Sequence, residues 1–305
     1  MKQLCYSRFV KKLAVKSPCR SAILVGGLLF LGSFLFPFLA AGEELFLMTP
    51  EEEGRRQIGL AIESKALQWR LRIPERMFSD ETVLVGHDIH RVQTPVQWRQ
   101  EADGFVFCRT NTDDGQGKRG FIVEYTVRLE PEVDGVNIEF TVQNKGESAL
   151  RNVVGHVCLG HQSEAFRDPN YERTYIRSDG QFLSVGDTDR GEDPIRTHYL
   201  VKDMSPIKIF NNPRNKFWGG LSDAVADNGL ILTRSRNGKK LVAMVFEPAS
   251  ELFQNSDDRN MCLHSDPNFG DLQPGSSATV KGKIILFNGD LSDFERLHLP
   301  RLEEW

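Results

Sequence analysis

Phe121–Glu130 reads FIVEYTVRLE, and across the five residues PEVDG the chain resumes at Val136–Val142 as VNIEFTV. In the first run Phe121, Val123, Tyr125, Val127 and Leu129 share one face, with Glu124, Thr126, Arg128 and Glu130 opposite. In the second, Val136, Ile138, Phe140 and Val142 oppose Asn137, Glu139 and Thr141. Strict alternation of apolar and polar residues is the mark of a strand with one buried face, and Asp134-Gly135 supplies the turn. The pair is a β-hairpin. The turn Asn144-Lys145-Gly146-Glu147 then leads into Leu150–Leu159, expected as a third strand of the same meander.

Outward from this centre the same signal recurs. Upstream lie Ile58–Ile62, Ala66–Ile73, Val92–Trp98 and Gly104–Arg109. Downstream lie Thr174–Ile176, Gln181–Val185, Ile207–Phe210, Leu230–Thr233, Lys240–Phe246, Asn260–His264 and Thr279–Phe287. Asn237-Gly238 marks a second hairpin, between Leu230–Thr233 and Lys240–Phe246. Gln162–Tyr171 and Val185–Tyr199 read as long, polar connections, and only Leu291–His298 has helical spacing, with Ser292 or Asp293 available as its cap. About a dozen strands without intervening helices must bury sheet against sheet, so the expected fold class is all-β, a large antiparallel sandwich with a short C-terminal helix. No repeat of fixed period points to a propeller or solenoid.

The N-terminus differs from all of this. Lys2, Arg8, Lys11, Lys12, Lys16 and Arg20 precede an almost unbroken apolar run, Ala22–Ala41, and no acidic residue occurs before Glu43. A basic flank, an apolar segment and the small residues Ala40-Ala41-Gly42 are the parts of a secretory signal. The run is also long enough to span a bilayer uncleaved. Residues 1–42 are therefore read as a signal peptide or an N-terminal transmembrane anchor, and 43–305 as one domain exported to the periplasm or beyond. Without the six basic residues, 32 basic residues face 42 acidic ones. That balance argues against a nucleic-acid partner, which needs a basic surface. Cys108, Cys158 and Cys262 remain in the domain, each in an apolar run where a buried thiol is expected, and they permit at most one disulfide.

Several polar clusters are candidates for chemistry. His264-Ser265-Asp266-Pro267-Asn268 follows an apolar strand directly; His264 and Asp266 there suit sugar hydroxyls or acid–base work, and equally an Asx-Pro turn. Asn211–Gly220 (NNPRNKFWGG) combines amides, a guanidinium and aromatic rings, so Asn212, Arg214 and Trp218 are candidate sugar contacts, or turn formers and a packed aromatic. His156 and His161, five apart, fall on opposite faces of a strand; His161, near Gln162 and Glu164, is the better site candidate. Trp69 and Trp98 are expected to pack the sandwich. His87, Asp88 and His90 share one loop without a third fixed partner, and no spacing marks a metal or cofactor site. No nucleophile elbow, phosphate loop or dinucleotide fingerprint is present.

The antiparallel meander, the polar turn Val142-Gln143-Asn144-Lys145-Gly146 and the cysteine-bearing strand Val157-Cys158-Leu159 together resemble the galactose mutarotase-like supersandwich. Met261–Pro267 (MCLHSDP), Gly270–Gly275 (GDLQPG) and the strand Thr279–Phe287 are similar to exported bacterial domains of that kind. The resemblance spans about residues 55–290 and implies sugar binding on a concave sheet face. Mutarotases pair a general-acid His with a general-base Glu in local motifs, and neither motif is matched here, so only the fold and the sugar preference carry over. Three functions follow as expectations: an extracytoplasmic carbohydrate-binding domain for polysaccharide or glycan, a carbohydrate-active enzyme (epimerase, lyase or glycosidase) with His264 or His161 moving the proton, or a structural module of the envelope.

Overall fold

The computed structural model describes residues 45–48, 57–62, 68–86, 98–102, 104–113, 119–161, 163–190, 195–206, 219–255 and 261–303. The expected strands at Val92–Trp98 and Ile207–Phe210 fall largely or wholly outside these, as does the N-terminal segment 1–42. No helix among the described residues is long and apolar enough to cross a membrane.

Two nine-stranded sheets make up the domain. Numbered along the chain, the first sheet holds β1 (Leu45–Met48), β2 (Gln57–Ile62), β3 (Gln68–Phe78), β4 (Val83–Val85), β9 (Leu150–His161), β12 (Arg196–Leu200), β13 (Gly220–Leu221), β16 (Ala249–Asn255) and β17 (Met261–Leu272). The second holds β5 (Arg99–Glu101), β6 (Gly104–Asp113), β7 (Arg119–Glu132), β8 (Gly135–Asn144), β10 (Thr174–Ser178), β11 (Gln181–Ser184), β14 (Ile231–Arg234), β15 (Lys240–Glu247) and β18 (Ser277–Asn288). The order across the first is β1-β2-β3-β9-β17-β16-β12-β13, with β4 beside β3; across the second it is β11-β10-β14-β15-β18-β8-β7-β6-β5. Neighbours run antiparallel except β12 and β13. The all-β antiparallel sandwich expected from the alternation is the fold observed.

The central hairpin forms as read: β7 and β8 pair from Val123–Asn144 to Glu132–Gly135, with Val133-Asp134 as the turn. Gly135 is required there, since a Cβ would sit 1.9 Å from the Ile284 carbonyl oxygen of β18. The second hairpin, β14–β15, also forms, with Gly238 at φ +71° in its turn. The third strand does not join the meander. β8 is flanked by β18, and β9 lies in the other sheet between β3 and β17. Alternation fixes which face of a strand is buried, not which sheet it joins. The change of sheet is made by Asn144, whose Nδ2 donates to the carbonyls of Ser148 (2.8 Å) and Leu272 (2.9 Å). Its own main chain meets Ser276 and Gly275, so one buried amide ties the crossing β8→β9 to the crossing β17→β18.

Two further expectations change. Val185–Tyr199 is not wholly a connection, because β12 begins within it at Arg196, and Ala249–Asn255, which the sequence did not mark as a strand, is one. Every residue of β16 is buried, so the alternation that signals a strand is absent. The helix α1 (Leu291–Leu297) is capped by Asp290 rather than by Ser292 or Asp293, its carboxylate accepting from the Asp293 amide at 3.0 Å. A second short helix, α2 (Leu299–Glu303), follows.

The core between the sheets is apolar: Trp69, Leu71, Leu159, Leu252 and Leu263 of the first sheet join Tyr125, Val127, Ile138, Phe140 and Phe246 of the second. Trp69 is fully buried and Trp98 packs edge-on against Phe107, as expected for sandwich-filling rings. The outer face of β14, β15 and β18 is apolar as well, with Leu232, Leu241, Ala243 and Ile285 covered by Phe294 and Leu299 of the helices. The outer face of the first sheet has a different composition, described below.

Gly282 of β18 pairs with Phe246 of β15, and a Cβ there would lie 2.3 Å from the Phe246 ring. Gly282→Ala should therefore cost about 1–3 kcal/mol of stability by overpacking and Phe246→Ala about 3–5 kcal/mol by cavity formation. The double variant should lose less than the sum, since the small ring site accepts the added methyl. Urea denaturation of the four proteins measures this; strict additivity would show that the two sites do not compete for space.

Candidate functional site

Ladder registers place three rows of side chains across β3, β9, β17, β16 and β12, on the face turned away from the second sheet. The middle row is Arg72, Cys158, His264, Phe253 and His198, each opposite the next. One flanking row is Arg70, Gly160, Cys262, Asn255 and Arg196. The other carries Arg76 opposite His156, then Asp266 opposite Glu251 and Leu200. Glu75 joins them because β3 bulges between Arg72 and Arg76. Pro74 within that bulge has no N–H for the ladder, and bulges are where a strand tolerates proline and re-aims a neighbour.

This face is polar yet removed from water. His156, His264 and Asp266 are each 1% exposed, and Glu75, Glu251 and His198 are also buried. Buried charges persist only in partnership. Asp266 Oδ2 lies 2.7 Å from His156 Nδ1, and its Oδ1 accepts from the Val157 amide at 3.3 Å. Glu251 Oε1 lies 3.1 Å from His198 Nδ1, and Glu75 accepts from Arg72 Nη1 at 3.2 Å. His264 stacks on His156 with ring centroids 4.2 Å apart, while Phe253 packs against both His264 and His198.

The environments of the two stacked imidazoles pull apart. Burial opposes charge on His156, but the charge and hydrogen bond of Asp266 overcome it and hold His156 above the usual histidine range. Burial also pushes Asp266 upward against the pull of His156, so the pair binds a proton between them strongly. His264 is driven well below the usual range, first by burial and then by the charge on His156. One face therefore presents a proton-holding His–Asp pair beside a neutral imidazole, the separation from which acid and base roles are made. Two sets of donor atoms are also gathered here within 4.8 Å of one another: Cys158, Cys262 and His264, and Glu75, His156 and His264.

Of the residues singled out from sequence, His264 and Asp266 lie in this cluster, but not at a strand end. β17 continues through them to Leu272, so His264-Ser265-Asp266-Pro267-Asn268 is mid-strand and the Asx-Pro turn does not form. His161 is displaced from the site. It pairs with Trp69 and shares its inward face, 4.4 Å from the indole and near Phe166, so it cannot act with His264 across the thickness of the sheet. Cys158 and Cys262 are buried as expected, whereas Cys108 is exposed, because its strand turns that position outward; all three are free thiols. Asn212, Arg214 and Trp218 lie outside the described residues, as do His87, Asp88 and His90. The chain re-enters at Gly219, where a Cβ would stand 2.7 Å from the His198 ring. His198, Glu75 and Glu251 went unrecognised in the sequence, and His156 was ranked behind His161. The available signal was the alternate spacing His156-x-Cys158 and Cys262-x-His264-x-Asp266, which puts each set on one strand face.

No family model matches the chain, and no curated protein matches it. Solved structures do. The Slr1438 protein of Synechocystis sp. PCC 6803 aligns with a TM-score of 0.50 at 10% identity, over 82% of this chain and 98% of that one. A galactose mutarotase related enzyme of Lactobacillus acidophilus aligns at 0.47 and 11% identity, over 81% and 98%. The α-N-acetylgalactosaminidase NagBb of Bifidobacterium bifidum, solved with GalNAc, aligns at 0.50 and 9% identity, over 85% of this chain and 38% of that one. At such identities the likeness concerns the fold alone, the two-sheet antiparallel sandwich, which places the buried His–Asp–Glu face of this chain on one of its two large sheets.

The inward position of His161 has a measurable consequence. Burial lowers its pKa to about 4, from about 6.5 in an unfolded chain. Below the ordinary value the unfolded state binds a proton that the folded state refuses, so stability falls as pH drops from about 6.5 to about 4. This group contributes at most about 3 kcal/mol to that loss. His161→Phe, which keeps an aromatic ring against Trp69, should flatten the fall in urea midpoint between pH 7 and 4.5; an unchanged slope would mean that His161 protonates freely in the folded protein.

Proposed function

We propose that the domain is an extracytoplasmic carbohydrate-recognition module that engages glycan or polysaccharide at the outer face of the first sheet. The observation that carries this reading is the row Arg72–Cys158–His264–Phe253–His198 with its flanking carboxylates. Guanidinium, imidazole and carboxylate groups on one rigid sheet offer donors and acceptors to vicinal hydroxyls, and fixed polar groups around an aromatic ring give orientation and specificity. A ligand would approach along the arginine edge, where Arg70 is exposed and Arg72 retains 23% of its side-chain exposure. Trp218, bonded to the Gly219 that stands against His198, is assigned the stacking ring, with Asn212 and Arg214 beside it in sequence. The α-N-acetylgalactosaminidase solved with GalNAc shares the sandwich frame, which supports a sugar as the ligand class. Export rests on the basic and apolar N-terminal segment.

The stacked imidazoles favour a second reading, in which the same face is catalytic. His156, paired with Asp266, supplies the proton, and neutral His264 receives one from the substrate. His156 takes the role that sequence alone offered to His161.

Glycan-array screening followed by titration calorimetry on the folded chain tests both. Wild-type protein should bind a glycan, and Arg72→Ala and Trp218→Ala should each weaken it about tenfold or more, ~1.4 kcal/mol. His264→Gln that binds normally but no longer interconverts or cleaves the bound sugar, followed by NMR, establishes the catalytic reading; turnover in neither protein leaves recognition alone. Correctly folded wild-type protein that binds nothing on the array rejects the carbohydrate assignment. Protease protection of the tagged chain in intact cells checks export, with residues 43–305 expected to be accessible from outside the cytoplasmic membrane.

A further inference from the structure

The middle and flanking rows bring together three groups that sugar recognition does not require. Cys158 on β9 is opposite His264 on β17, and Cys262 lies two residues before His264 on the same face. Cys262 Sγ is 2.9 Å from His264 Nε2, and the donor atoms of all three residues lie within 4.8 Å of one another. All three side chains are buried, His264 to 1% exposure, and its Nδ1 has no hydrogen-bond partner.

We infer that Cys158, Cys262 and His264 form a binding site for a zinc-class divalent cation. Zinc takes thiolate sulfur at about 2.3 Å and imidazole nitrogen at about 2.0–2.1 Å in tetrahedral geometry. Those bond lengths set donor-to-donor separations of roughly 3.5–3.8 Å, inside the spread of this triad. Binding releases two protons: each thiol gives up its hydrogen to solvent, the two thiolates and Nε2 each donate an electron pair, and no redox change occurs. Two thiolates neutralise one divalent cation, which matters on a face from which water is excluded. A monovalent soft ion would leave a net negative charge there. Arg72 lies 3.9 Å from Cys158 Sγ and is held by Glu75; its charge opposes the neighbouring Cys262 and the burial that together hold the Cys158 thiol well above its ordinary range. His156 and Glu75 lie on the other side of the shared His264, within the second donor set. Three protein ligands leave a fourth tetrahedral position for water or a ligand oxygen. The site stands whether or not the face binds sugar.

Cobalt(II) titration of the full chain, purified reduced and metal-free, tests it. One Co²⁺ per chain should produce tetrahedral ligand-field bands and thiolate-to-cobalt charge transfer, and one equivalent of Zn²⁺ should abolish both. Cys158→Ser and Cys262→Ser should each reduce the charge-transfer intensity and weaken uptake at least about 100-fold, with circular dichroism confirming the fold. Cys108→Ser, which alters the exposed thiol, should change nothing. A readout on wild-type protein needs no variant: Zn²⁺ should protect Cys158 and Cys262 from alkylation, mapped by peptide mass, and leave Cys108 reactive. The inference is overturned if folded wild-type protein shows no charge transfer, or if the bands survive both serine variants. It is also overturned if Cys158 and Cys262 are joined as a disulfide whose reduction yields no cobalt uptake. Because the readout is spectroscopic, its failure is independent of any glycan result.

Discussion

The contact between Asp266 and His156 is the constraint on which the first sheet depends. Both groups are buried on the face that has no second sheet behind it, and neither can be charged there alone. Their 2.7 Å hydrogen bond joins the middle of β17 to the middle of β9, and the remaining carboxylate oxygen takes the Val157 amide. A one-residue slip of β17 against β9 would put Asp266 into the apolar core and Leu263 onto the polar face. The register of the central pair is therefore set by charge as well as by hydrophobic packing, and the pair Glu251–His198 applies the same rule to β16 and β12. Such pairs add little net stability over an apolar replacement, but removing one partner leaves a buried charge. Their value lies in function or specificity.

The two outer faces of the sandwich show what this entails. On the second sheet the outer face of β7 and β8 carries Arg128, Glu139 and Thr141 toward solvent, while that of β14, β15 and β18 carries Leu, Ala, Val and Ile, which the C-terminal helices cover with Phe294 and Leu299. That solution needs no polar partner and no alignment beyond packing. On the first sheet, the same topological position carries histidines, carboxylates, arginines and thiols in three ordered rows. Rigid strands hold these groups more closely than loops would, and irregularities in β3 and β16 accompany two of the carboxylates, Glu75 beside the bulge at Pro74 and Glu251 beside the register shift after Ala249.

This contrast also explains which parts of the structure were legible in the sequence. β7, β8, β14 and β15 are marked by alternation or by Asn-Gly and Asp-Gly turns, and they form as read. β16, and β17 from Met261 to Pro267, are buried on both faces, one by apolar and one by polar neighbours. Ser-Glu-Leu-Phe-Gln-Asn and His-Ser-Asp-Pro-Asn then look like connecting segments although they are central strands. The sheet assignment of β9 was hidden for a different reason, since it depends on the Asn144 clamp to Ser148 and Leu272, a contact spanning more than a hundred residues. His161 was favoured by its place at a strand end, yet the register with Trp69 turns it inward. His264 and Asp266 were singled out on the polar face and His156 was set behind His161; the partners sit on different strands, and no linear spacing links His156 to Asp266 or Cys158 to Cys262.

The assignments made to this face meet at one residue, His264. A cation held by Cys158, Cys262 and His264 would occupy the Nε2 of His264, which then could not receive a proton. Proton transfer would fall to His156, whose Nδ1 is already committed to Asp266 and whose ring stands 4.2 Å from His264. In the absence of a cation, the neutral His264 is the acceptor and the His156–Asp266 pair the proton store. The same ring thus serves as ligand or as base according to whether the thiols beside it hold an ion, and the carboxylate–histidine pair keeps one function in both states. A sheet face arranged in this way would have its acid–base chemistry set by cation occupancy, through an equilibrium located entirely on β9 and β17.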